Sequence, residues 1–114
     1  MKEYKKIFFI YLFIILMVSS IPGNSFPKSW FSFGIQDKVY HLIEYSILGF
    51  LGNLSYSRSI GYKIIIYCIL FGFFDELYQG LIPGRFPNAF DVIADALGVI
   101  LGYSITYLIV KKYD

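Results

Sequence analysis

Four apolar runs, joined mostly by short breaks, decide what this chain can become. The first, IFFIYLFIILMVSSI, extends from Ile7 to Ile21 and stops at Pro22-Gly23. The second runs from Val39 to Tyr56, the third from Tyr62 to Ile82 and the fourth from Phe90 to Val110. A helix needs about 20 apolar residues to cross the hydrocarbon of a bilayer. The last two runs reach that length. The first reaches it by extending back through Tyr4, and the second is near the lower limit. The chain is 57% hydrophobic and 16% charged, where a soluble domain is roughly 45–50% apolar and 25% charged. The expectation is an all-α membrane protein with four transmembrane helices. It forms a single domain over residues 1–114, with spans at about 7–22, 39–56, 62–82 and 90–110. The opening KEYKK before an apolar run has the form of a secretory leader, but no Ala-x-Ala cleavage site follows, so the run is read as a span. The lone cysteine, Cys68, has no partner for an intramolecular disulfide and reads as a small buried hydrophobe.

The cations set the orientation. Lys2, Lys5 and Lys6 precede the first run, Arg58 and Lys63 flank the break between the second and third, and Lys111 and Lys112 follow the fourth. Lys28, Lys38 and Arg85 lie on the opposite side. Basic residues stay cytoplasmic, so both termini are placed inside. The outer connections are then residues 22–37 and 83–88. Trp30, Phe31 and Phe33 in the longer one suit a headgroup interface.

The acids are sorted as sharply. Glu3 and Asp114 sit at the termini. The other six, Asp37, Glu44, Asp75, Glu76, Asp91 and Asp95, fall in or beside the outer halves of the last three runs, together with His41, the single histidine. Asp37, His41, Glu44, Leu48 and Gly52 form one helical stripe. Asp75 and Gln79 are four apart, with Glu76 beside them. Asp91, Asp95, Gly98 and Gly102 continue an acidic stripe as a glycine stripe, which lets a neighbouring membrane helix approach closely. A charge at the bilayer centre costs about 2.5–3.5 kcal/mol on insertion scales. Several such charges facing lipid are therefore untenable. They are expected to face the bundle, lining a polar pocket open at the outer face.

Three blocks carry a resemblance: Asp37-Lys38-x-x-His41-x-x-x-Tyr45, then Asp75-Glu76-x-x-Gln79-x-x-x-Pro83-Gly84-Arg85, then Asp91-x-x-x-Asp95-x-x-Gly98. In this order, on three expected spans, they resemble the VanZ-like family of small bacterial membrane proteins. The likeness covers the chain from about Asp37 onward. Asp95 stands where the family often has asparagine. The resemblance implies a multi-pass protein of the bacterial cytoplasmic (inner) membrane. It also implies lowered susceptibility to teicoplanin-type glycopeptides, the role of the family's namesake in antibiotic resistance.

Four readings of the polar residues follow. In the first, an envelope amphiphile, a membrane lipid or a lipid-linked molecule, is bound or acted upon. His41, Glu44, Asp75 and Glu76 would be the acid–base groups, and Asp37, Tyr45, Gln79, Arg85, Asp91 and Asp95 would hold the substrate. Arg85 suits a phosphate or carboxylate through two parallel hydrogen bonds. Whether bonds are broken stays open, so the chain reads as either enzyme or binding protein. In the second, the polar residues only clamp helices together. In the third, His41-x-x-Glu44 and the surrounding carboxylates hold a divalent metal; no other cofactor is expected. The fourth, an ion pathway, is disfavoured because the inner halves almost lack ionisable groups. Seven scattered cytoplasmic cations form no nucleic-acid patch. The glycine-faced runs leave room for a homo-oligomer.

Overall fold

A computed structural model describes residues 2–21, 35–83 and 89–113, less the side chains of residues 2, 35–37, 57 and 110–113. The regular structure of the described residues is entirely helical: α1 (Lys2–Ser19), α2 (Ile35–Ile60), α3 (Lys63–Gln79) and α4 (Ala89–Tyr113).

Local chemistry ends each helix. Beyond α1, the Ser20 hydroxyl donates back to the Leu16 carbonyl at 2.8 Å and Pro22 follows, which disfavours further helix. α2 continues past the apolar run through Ser57-Arg58-Ser59 and stops at Gly61. The φ of Gly61 is +63°, the left-handed conformation that closes a helix at little cost only for glycine. α3 closes with Gly80 N–H donating to Glu76 and Leu81 N–H to Tyr78, just before Pro83.

The helices run up and down. Lys5, near the start of α1, lies 4.9 Å from the ring centroid of Tyr56, near the end of α2. At the far end, Ser19 of α1 meets Asp75 of α3. α2 is the central element, touching α1, α3 and α4, and its seam with α4 is the most extensive in the bundle. That seam is built on missing side chains. A Cβ at Gly98 would stand 2.5 Å from the Leu42 carbonyl oxygen, and one at Gly102 would overlap the Ser46 carbonyl. Gly49 faces the backbone of Val99 in the same way. Close backbone approach is how helices pack where no hydrophobic force separates protein from solvent. The seam also captures polar groups: Asn53 Nδ2 donates to the Tyr103 carbonyl at 2.9 Å, and Thr106 Oγ1, bonded to Gly102 of its own helix at 2.9 Å, also reaches the Phe50 carbonyl of α2 at 3.4 Å.

Burial is inverted relative to a water-soluble bundle. His41, Asp75, Asp91 and Asp95 are buried, while Phe9, Phe13, Phe74, Leu77, Leu97 and Leu108 are exposed. Among the described helices, one stretch, Ala89–Ile109 of α4, is long and apolar enough by itself to cross a membrane. α1 carries Lys2, Glu3, Lys5 and Lys6 in its first turns, and α3 is 17 residues long. Cys68 is buried, as its apolar neighbours imply.

A buried histidine and carboxylate cluster as the candidate functional site

The antiparallel order brings the C-terminal ends of α1 and α3 beside the N-terminal ends of α2 and α4, and the polar residues of all four meet there. On α2, positions 38, 41 and 45 fall on one face at helical spacing. They present Lys38, His41 and Tyr45 inward, with Glu44 beside them. α3 contributes Asp75, Glu76 and Gln79 from its last turn and a half, all buried. α4 contributes Asp91 and Asp95, one turn apart and at most 2% exposed. Asp91 lies in the first turn of α4, where the helix dipole favours an acid.

Two hydrogen-bonded groups make up the cluster. In the first, His41 Nδ1 is 2.8 Å from Asp95 Oδ1 and His41 Nε2 is 3.9 Å from Asp91 Oδ2. Lys38 Nζ closes this group with a 2.6 Å ion pair to Asp91 Oδ1. The Lys38 side chain is 29% exposed, so it forms the rim, while Asp91 lies beneath it. The second group centres on Asp75. Ser19 donates to Oδ1 at 2.6 Å and Tyr45 donates to Oδ2 at 2.9 Å. Gln79 Nε2 in turn donates to Ser19 Oγ at 3.2 Å. Gly72 lets the groups touch: a Cβ there would lie 3.1 Å from both Asp95 Cβ and the Tyr45 ring. Glu76 joins the first group, since it, His41 and Asp95 each offer a donor atom within 4.8 Å of the others.

Chemically the two groups differ. Both Asp75 oxygens accept short hydrogen bonds from neutral donors, which satisfies a buried carboxyl and locks three helices together. The His41 group instead gathers three carboxyls around one imidazole, with one lysine at its edge. A buried imidazole bonded through one nitrogen to a carboxyl is oriented for proton transfer or ligation at the other. Five buried carboxyls, Glu44, Asp75, Glu76, Asp91 and Asp95, meet one ammonium group, Lys38, and one imidazole, His41, among the described residues at this end.

Of the sequence candidates, His41, Glu44, Tyr45, Asp75, Glu76, Gln79, Asp91 and Asp95 come together at this end of the bundle. Asp37 lies in the first turn of α2, but its side chain lies outside the described residues, as do Arg85 and the Trp30–Phe33 segment. Three participants were not among the site candidates read from sequence. Ser19 looks like the frayed end of an apolar run, and nothing local tells which of Ser19 and Ser20 faces inward. Lys38 carried a usable signal, being three residues before His41 on the same face. Tyr11, whose hydroxyl donates to the Glu44 carbonyl at 2.7 Å, is one aromatic among many in α1.

No curated protein and no solved structure matches the chain. The VanZ/LLP1 family model does, over residues 6–110, nearly the whole length. A single match that runs from the first helix to the last, and takes in every residue of the cluster, assigns this chain to the VanZ/LLP1 family.

Proposed function

We propose that this chain is a four-span protein of the bacterial cytoplasmic membrane, with both termini inside, whose buried cluster binds or acts upon an envelope amphiphile and lowers susceptibility to teicoplanin-type glycopeptides. The observation that carries the reading is the inversion of burial. Aromatic and aliphatic side chains cover the outside of all four helices, while the carboxyls and the single histidine are withdrawn to one end of the interior. Such an arrangement suits hydrocarbon around the bundle and a polar headgroup at its end. The cation distribution supports that end facing outward.

The two groups of the cluster then divide the work. Asp75 with Ser19, Tyr45 and Gln79 is the clamp, its oxygens already engaged by hydrogen bonds. His41 with Glu76, Asp91 and Asp95 is the working group. At its rim the partly exposed Lys38, paired with Asp91, adds a positive charge where a phosphate or carboxylate headgroup would sit. Arg85, two residues beyond Pro83, is the second candidate for that role.

The test is teicoplanin and daptomycin susceptibility in a sensitive host expressing the chain, beside His41→Ala and Arg85→Ala versions at matched membrane levels. Protection that disappears in both variants supports the reading. An unaltered host carrying the intact, well-expressed chain would sink it.

A further inference from the structure

We propose that His41, Glu76 and Asp95 form a site for one divalent transition-metal ion, of the Mn²⁺ or Zn²⁺ kind. The proposal stands apart from the amphiphile reading, since it concerns what the cluster holds by itself. The three side chains come from three helices, α2, α3 and α4, and each is at least nine-tenths buried. Each offers one ligand atom, and these atoms lie within 4.8 Å of one another. Metal bonds of about 2.0–2.2 Å in a tetrahedral set hold ligand atoms roughly 3.4 Å apart, so side-chain movements of about 1 Å close the site.

A second observation points to a ligand. Asp95 is 1% exposed and gives one oxygen, Oδ1, to His41; the other, Oδ2, has no hydrogen-bond partner among the described residues. A buried carboxylate oxygen left so is expensive, and a bound cation satisfies it. The space beside it depends on Gly72, where a Cβ would stand 3.3 Å from Oδ2. The donor set limits the metal. One imidazole with two carboxylates is too hard for Cu(I), contains no thiolate of the kind structural zinc favours, and suits Mn²⁺ or Zn²⁺. Cys68 sits outside the cluster, in apolar company at the other end of α3. Three protein ligands leave a coordination position open, as in sites where a metal meets an oxygen of its substrate.

The experiment uses the full chain, purified in detergent, stripped of metal and titrated with Mn²⁺ and with Zn²⁺. The result expected is one ion per chain. Affinity falls tenfold or more in His41→Ala and in Glu76→Gln, and is unchanged in Cys68→Ala. Electron paramagnetic resonance of Mn²⁺ bound to the unaltered chain gives a readout that does not depend on the variants folding, and is expected to show coupling to an imidazole nitrogen. Absence of stoichiometric binding of either ion, or bound Mn²⁺ without nitrogen coupling, would overturn the proposal. So would binding lost in Cys68→Ala and kept in His41→Ala. Because the readout is metal content, failure here leaves the susceptibility test standing, and the reverse also holds.

Discussion

His41 and Asp75 lie in the same cluster, yet their partners differ: His41 meets carboxyls, and Asp75 meets hydroxyls. Asp75 is held at both oxygens: a serine donates to one and a tyrosine to the other. Replacing Tyr45 by Phe keeps the ring packed against α3 and removes one donor, leaving Asp75 Oδ2 short of a hydrogen bond. The expected cost is about 1–2 kcal/mol, since an interhelical hydrogen bond in a membrane is worth no more than this. Denaturant unfolding of the detergent-solubilised chain measures it, and an unchanged midpoint would remove Asp75 from the clamp. At His41 the expectation is the opposite. His41→Ala and Glu76→Gln should abolish any envelope phenotype while membrane abundance stays within about twofold, as judged by quantitative blotting of isolated membranes. Loss of both proteins from the membrane would instead make the whole cluster structural. That the acids turn inward was legible from sequence, because charges in apolar helices have few other places to go. Which acid pairs with which donor was not. Ser19 reaches Asp75 across 56 positions of sequence, and only the bundle brings them together.

At the scale of the helix, glycine decides how the elements meet. The stripe that begins at Asp91 and Asp95 continues as Gly98 and Gly102, and these glycines touch the α2 backbone at Leu42 and Ser46. A methyl group at Gly102 meets a rigid carbonyl. One at Gly52 meets the ends of side chains, with Ile64 Cγ1 at 3.0 Å and Cys68 Sγ at 3.4 Å, which can rotate aside. Gly102→Ala should therefore cost about 1–3 kcal/mol of stability by forcing α2 and α4 apart, and Gly52→Ala distinctly less. Thermal unfolding of the two variants in one detergent ranks them, and equal losses would mean that the seam is more compliant than its geometry implies. This part of the fold was legible because small residues at helical spacing have a specific use in membranes. The helix ends were less so. Hydropathy stops the second run at Tyr56, but Ser57-Arg58-Ser59 can stay helical at an aqueous end, and the helix yields only at Gly61, where the backbone reverses.

At the scale of the whole molecule, the antiparallel order of the four described helices puts the start of α1 and the end of α4 on the face opposite the cluster. Lys5 beside Tyr56 marks that face, and Arg58 and Lys63 flank the turn there. The cluster face carries Lys38, already engaged with Asp91. If the basic face is cytoplasmic, the buried carboxyls open toward the cell exterior, where cell-wall precursors and glycopeptides are found. Orientation and function are thus tied together, and one labelling experiment addresses both. Cys68 is buried and is replaced by alanine to clear the background. A single cysteine introduced at Asn88 is then expected to react in intact cells with a thiol reagent that cannot cross the membrane. One introduced at Ser57 is expected to react only after the cells are opened. The reversed pattern would turn the cluster toward the cytoplasm. Its natural ligand would then be an intracellular headgroup, and a direct encounter with glycopeptides would be ruled out on geometry alone, whatever the cluster binds.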